Sequence, residues 1–236
     1  MQDHTIVDRD EWLKARIALL EREKAFTRER DALSTERRNL PWVEVTKPYD
    51  FITGNGPKAL SELFGDRRQL VIYHFMYGPD WQAGCKSCSF WADNFDRNII
   101  HLAARDVTLV AVSRAPLETL NAFKQRMGWS FDWVSSLGSD FNYDFDVSFS
   151  EDARANDAIR YNYRPSQFPA DEAPGISVFY KDDDGRVFHT YSTYGRGLDM
   201  LNAAYHYLDL VPKGRNEEEL PYPMDWVRLR DEYGKG

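Results

Sequence analysis

Residues 8–38 are dense in charge and contain no Pro or Gly. Trp12, Leu19, Phe26, Leu33 and Leu40 recur every seven positions. The positions three or four further on are mostly Ala or charged. This is half of a heptad pattern, since a coiled coil wants both positions apolar. It predicts one long helix with a narrow apolar stripe, ending before Pro41. Such a helix is either an arm lying on the main domain or the contact of a homodimer. Leu70–Met76 is a continuous apolar run rich in β-formers, broken only by His74, which predicts a central strand buried on both faces. A loop follows, then Cys85-Lys-Ser-Cys88 and a helical segment to about Ala104. Val107–Val112 predicts a second buried strand. Pro116–Met127 predicts a helix with proline at its favourable first position. Strand, helix, strand, helix implies a parallel sheet with crossover helices.

Further along, Phe141, Tyr143, Phe145, Val147 and Phe149 alternate with polar residues. Period two predicts an extended segment with one apolar face. Residues 151–172 are polar and irregular and read as an insertion. Ile176–Tyr180 and Arg186–Ser192, joined by a turn containing Asp184-Gly185, predict a hairpin. Leu198, Leu201, Tyr205 and Leu208 predict an amphipathic helix over about 198–210. The division expected is an N-terminal arm (1–40), a domain (41–211) and a proline-bearing C-terminal tail (212–236).

Composition narrows the function classes. Aromatic residues make up 14% of the chain, which rules out general disorder. The apolar runs are far shorter than the roughly 20 residues of a membrane-spanning helix. With 30 basic and 38 acidic side chains the net charge is −8, which argues against nucleic acid as the main partner. The N-terminus lacks the basic region and apolar run of a secretory signal, so a cytoplasmic address is expected. Two cysteines are too few for a disulfide-stapled secreted fold.

Those two cysteines carry the chemistry. Cys85-x-x-Cys88 lies between a buried strand and a helix. The helix N-terminus favours the thiolate of the first cysteine, and Lys86 adds positive charge to the motif. The first thiolate attacks a substrate sulfur and the second resolves the mixed disulfide. Cys85 is thus the expected nucleophile and Cys88 the resolving thiol, with no cofactor required. The alternative is a copper or zinc site, with His189 on the second hairpin strand as a third ligand, since soft thiolates plus imidazole suit copper. A non-catalytic binding protein is the third class. In an α/β pattern, CxxC reads as a thioredoxin-like redox motif. The element order is that of a thioredoxin-like fold, here with a long N-terminal helix, an insertion after the second crossover and a C-terminal tail. In that fold a proline before the first hairpin strand is usually cis and faces the CxxC; Pro174 occupies that place.

The chain resembles a bacterial thioredoxin-like family labelled predicted dithiol-disulfide oxidoreductase, related to the alkyl hydroperoxide reductase and thiol-specific antioxidant group. Leu40–Phe51, Tyr73–Asp93, Val112–Pro116, Ser139–Phe149, Ser177–Leu201 and Tyr205–Arg215 carry the resemblance. It implies a thiol/disulfide substrate, small molecule or protein. The motif departs from thioredoxin's WCGPC, reading GCKSC. It also departs from the peroxiredoxin Pro-x-x-x-Thr-x-x-Cys. Pro79 lies six residues before Cys85, and Ala83 stands where Thr would be.

Sites in parallel sheets form at the carboxyl ends of strands. Tyr77 and Trp81 after the first strand are candidates for an aromatic wall beside Cys85. Arg114 after the second is a candidate for binding an anionic substrate. Asp93 and Asp96 are candidate proton acceptors. His74 reads as a hydrogen-bonded core histidine. Trp129 and Trp133, with the alternating segment, are candidates to line a pocket for a small aromatic substrate.

Overall fold

The structure is a computed structural model that describes residues 4–234. The chain divides into two compact units, Met1–Pro41 and Trp42–Gly236. The first is a single helix, α1 (Arg9–Arg38). Asp8 caps it by accepting from the Glu11 amide at 2.8 Å, and its charges suit the dipole, with Asp10 and Glu11 first and Arg37 and Arg38 last. None of its residues is buried, and Phe26 is 69% exposed.

In the second unit the order is β1 (Val43–Glu44), β2 (Asp50–Thr53), β3 (Gly56–Ala59), β4 (Gln69–His74), α2 (Lys86–Phe95), α3 (Ile99–Ala103), β5 (Val107–Ser113), α4 (Leu117–Met127) and β6 (Asp132–Ser135). There follow α5 (Phe141–Asp144), α6 (Glu151–Ala155), β7 (Arg160–Tyr161), β8 (Arg164–Pro165), β9 (Gly175–Lys181), β10 (Val187–Tyr194) and α7 (Ala203–Leu208). Eight strands form one sheet in the order β1-β10-β9-β4-β5-β6-β2-β3. β4, β5 and β6 are parallel neighbours, and β9 and β10 continue the sheet antiparallel on the other side of β4. This is the mixed sheet of the thioredoxin-like class, and the helices after β4 and β5 and the hairpin agree with the hydrophobic pattern to within a few residues, whereas the helix expected over about 198–210 is broken by extended backbone at Asn202 into a 3-10 segment, Gly195–Leu201, and α7. Pro116 caps α4 from outside its first turn, and Gly128, at φ 65°, ends it.

Strand periodicity assigns the two faces. Tyr73, Phe75 and Ala111 point into a core shared with α2 and α4. Leu70, Ile72, Val110 and Val112 point into a second core with Phe51, Phe64 and Phe141. His74 belongs to this second face. Its Nε2 lies 2.8 Å from Ser177 Oγ, which lies 2.8 Å from Ser192 Oγ.

Two further expectations fail. The segment 141–149 is not one extended run. Asp140 and Asp144, four residues apart, share the Lys47 ammonium at 2.9 and 2.6 Å, which favours a helical turn over Phe141–Asp144. The backbone reverses at Asp146, φ 54°. Only then does it extend, pairing Ser148 with Glu172. Phe141 and Phe149 consequently enter different cores. Trp129 and Trp133 are buried core residues rather than pocket walls beside the alternating segment. They pack edge to tilted against Phe75 and Phe123 in the first core. The tail packs onto the domain. Val227 and Leu229 are buried, and Leu229, Met224 and Trp226 join the core around α2. Among the described residues no helix is long and apolar enough to cross a membrane.

Candidate active site

After β4 the chain loops out through residues 77–84 and returns where the Cys85 amide donates to the Met76 carbonyl at 3.1 Å. The return passes close to the core. A Cβ at Gly84 would lie 2.9 Å from Phe75 and 3.1 Å from Phe123, so only glycine fits there. Cys85 then caps α2, and its carbonyl accepts from the Ser89 amide at 2.9 Å. Geometry thus fixes both thiols, both of them free. Cys85 is half-buried at the helix N-terminus, and Cys88 is buried one turn in, 1% exposed.

Their surroundings drive them apart. The Cys88 thiol donates to the Cys85 sulfur, and the Cys88 and Ser87 amides add to this against the cost of burial. Together they bring Cys85 down to about 7. Burial first, then the neighbouring Cys85 sulfur, pushes Cys88 well above the ordinary thiol value. Cys88 keeps two donors of its own: the Met76 amide, 3.5 Å from Sγ, and the Tyr73 hydroxyl. Tyr73 is itself raised well above an ordinary phenol, chiefly by burial, and so stays a donor. Tyr73, Cys88 and Cys85 therefore influence one another, and only the outer thiol, Cys85, is brought down.

Both sulfurs line a cavity of about 800 Å³. Pro174 lines it too, as the sequence suggested, although no cis peptide bond occurs among the described residues. The Pro174 carbonyl accepts from Tyr161 at 2.7 Å. Beyond the prediction, the cavity is bounded by Tyr73, Trp91 and Tyr161 and, on the tail, by Glu217, Tyr222 and Met224. Tyr73 was legible as the strand residue on the face opposite His74. The tail's role was hidden among its prolines.

The other candidate residues lie elsewhere. Tyr77 is buried between Phe123 and Trp133. The Trp81 indole donates to Asp171 at 3.1 Å, and Arg114 is held by Glu172 at 2.9 Å. Neither touches the cavity; both grip the segment that leads into Pro174. Glu172 is 1% exposed, and burial lifts it to about 7 despite its bonds to Ser148 and Arg114. Lys86 does not face the thiols. Its ammonium donates to the Asp225 carbonyl at 2.9 Å and sits over the Tyr222 ring. Asp93 accepts from Trp129 and Asp96 from Ser130 and Phe131, so both are fixed as structural acceptors.

His189 does not join the cysteines. A bulge at Thr190 breaks the two-residue alternation of β10, so that His189 and Ser192 share a face and meet at 2.7 Å. That face is the one away from the dithiol, where His189 packs against Phe145 and Phe179. Among the described residues no group of three or more His, Cys, Asp or Glu side chains is arranged to hold a metal ion.

Solved structures that the chain resembles include peroxiredoxin Q of Xanthomonas campestris, at 15% identity and a TM-score of 0.43, covering 69% of this chain and 96% of that one. A peroxidoxin of Mycobacterium tuberculosis has 15% identity and a TM-score of 0.40, covering 70% and 94%. The mitochondrial 2-Cys peroxiredoxin of Plasmodium falciparum has 14% identity and a TM-score of 0.40, covering 70% and 91%. No curated protein matches the sequence. One family model matches nearly its whole length, residues 1–233: the chain belongs to DUF899, described as a bacterial protein of unknown function.

Proposed function

We propose that this protein is a thiol–disulfide oxidoreductase working through the Cys85–Cys88 dithiol. The observation that carries the reading is the asymmetric pair. A half-buried thiol at the start of α2 opens onto a cavity, and a buried thiol lies within hydrogen-bonding reach behind it. The Cys85 thiolate attacks one sulfur of a substrate disulfide, that S–S bond breaks, and one thiolate leaves. Cys88 then gives up its proton and attacks the Cys85 sulfur, releasing the second substrate thiolate. The substrate gains two electrons, and the protein is left with a Cys85–Cys88 disulfide. Pro174 shapes the wall beside the sulfurs. Arg114 and Trp81 act at one remove, by holding the Asp171–Glu172 segment.

The test is a redox titration in a thiol/disulfide buffer series, with alkylated thiols counted by mass and metal measured on the same untreated sample. Both thiols should disappear together in one reversible two-electron transition, within the roughly −270 to −120 mV spanned by such proteins. Cys85→Ser should abolish exchange, and Cys88→Ser should trap a mixed disulfide on Cys85. Unreactive thiols would overturn the reading, and copper or zinc at one per chain would point to a metal site instead.

A further inference from the structure

The same cavity constrains what reaches the dithiol. Resting on the oxidoreductase reading, we infer that its substrate is a small disulfide with an apolar body and no negative charge, rather than an anionic disulfide or a protein disulfide.

Size comes first. About 800 Å³ is the room of a typical small-molecule pocket, which spans roughly 300–1,000 Å³. Its lining includes Tyr222–Met224 of the tail and Phe168 and Pro169 of the insertion. A protein disulfide would have to bring its flanking chain into that space.

Chemistry comes second. The lining residues that share a core cluster with the two cysteines are apolar or aromatic, Tyr73, Met76, Trp91, Leu198 and Met224, and Pro174 lines the same cavity, with Ser87 as a small polar residue between the cysteines. Arg114, which the sequence offered for an anionic substrate, is turned to Glu172, and Lys86, the cation within the motif, to the tail backbone.

Charge comes third. The charged residues on the lining are Arg196 and Arg215 against Asp199, Asp209, Glu217 and Glu218, two positive and four negative, or 2 − 4 = −2. The Arg215 guanidinium is already engaged. It binds both Asp209 oxygens at 2.8 and 2.9 Å, holds Asp199 at 2.9 Å and stacks 3.9 Å over Tyr205. Arg196 pairs with the same Asp199 at 3.3 Å. An arriving anion therefore meets surplus carboxylate and no unengaged guanidinium. A cleft of net negative charge slows the encounter of an anion relative to a neutral or cationic molecule.

The test follows oxidation of the reduced full-length protein by four small disulfides: 4,4′-dithiodipyridine (neutral), cystamine (cationic), 5,5′-dithiobis(2-nitrobenzoate) and glutathione disulfide (both anionic). A disulfide-bonded protein, reduced insulin's parent form, serves as the fifth probe. Each rate is divided by that of dithiothreitol with the same disulfide, which removes intrinsic reactivity. At low salt the neutral and cationic probes should exceed the anionic ones by roughly tenfold or more, as expected for electrostatic steering. The gap should shrink at high salt and in Glu218→Lys, a change at an exposed position on the mouth. The protein disulfide should be slower than the neutral small one. Equal normalised rates at low salt, or a protein disulfide that reacts fastest, would overturn the inference while leaving the oxidoreductase standing. Failure of all five probes to oxidise the dithiol would instead remove the oxidoreductase reading. The salt dependence needs no variant, so the result stands even if Glu218→Lys fails to fold.

Discussion

Cys85 and Cys88 are three residues apart, yet one is an acid near neutrality and the other is not. The cause is local: Cys85 receives a thiol donor and helix N-terminal amides, whereas Cys88 is enclosed by Tyr73 and Met76. Alkylation of the reduced protein by iodoacetamide should therefore modify Cys85 first, with a rate that rises with pH about a midpoint near 7. Cys88 should react only on unfolding. The same shift links to stability. A thiol whose folded value is lowered stabilises the fold above its ordinary value, and that gain is lost as pH falls through about 7. Peptide mapping by mass after timed alkylation between pH 5.5 and 9 checks the assignment, and a midpoint near the ordinary thiol value would refute it. This asymmetry was half legible in the sequence. The CxxC spacing and the helix start were readable, but the donor role of Tyr73 depends on which strand face points at α2.

Single strands and loops decide which of the expected site residues meet. β4 carries Tyr73 and His74 next to each other in sequence and sends them to opposite faces, one to the dithiol and one to the Ser177–Ser192 pair. The bulge in β10 then keeps His189 on the far face, a register effect that no count of residues between Cys88 and His189 reveals. Arg114 follows the strand end as expected, but its partner, Glu172, comes from the insertion, a polar stretch without periodicity. The pair is nearly buried, with side chains 18% and 1% exposed. Removing its cation by Arg114→Met leaves an enclosed carboxylate, and breaking such a pair costs about 3–5 kcal/mol when the charge stays uncompensated. Protonation relieves part of this. Glu172 already sits near 7, above the ordinary carboxylate value, so its folded form favours the proton and stability falls as pH rises through that range. Without Arg114 the value rises further. The melting-temperature gap between parent and variant should be small at pH 5 and widen by pH 8. Exchange should slow as well, because the segment leading to Pro174 loses its anchor. A gap independent of pH would mean that Glu172 is not the group left exposed by the change.

At the scale of the whole molecule, α2, α4 and the β9–β10 hairpin were readable because each buries one periodic face, whereas the tail lines the site through scattered contacts with no period. Glu217 gathers the Tyr205 hydroxyl, the Met224 amide and the Trp226 indole at 3.0, 3.0 and 2.6 Å. Lys86 fastens the same segment from inside the CxxC itself, through the Asp225 carbonyl and the Tyr222 ring. The lysine between the cysteines is therefore a clasp for the tail rather than an acidifier of the thiol, and the two roles predict different behaviour for Lys86→Met. If it clasps, the midpoint of Cys85 alkylation stays near 7, while the plateau rate at high pH rises several-fold as the tail admits reagent more easily. Amide exchange should also quicken across 217–226 without spreading to β4 or β5. If instead the ammonium stabilises the thiolate, the midpoint climbs toward the ordinary thiol value and the tail keeps its protection. Following both readouts on one variant separates closure of the cavity from tuning of the sulfur, which share a single residue in the sequence but engage different groups in the fold.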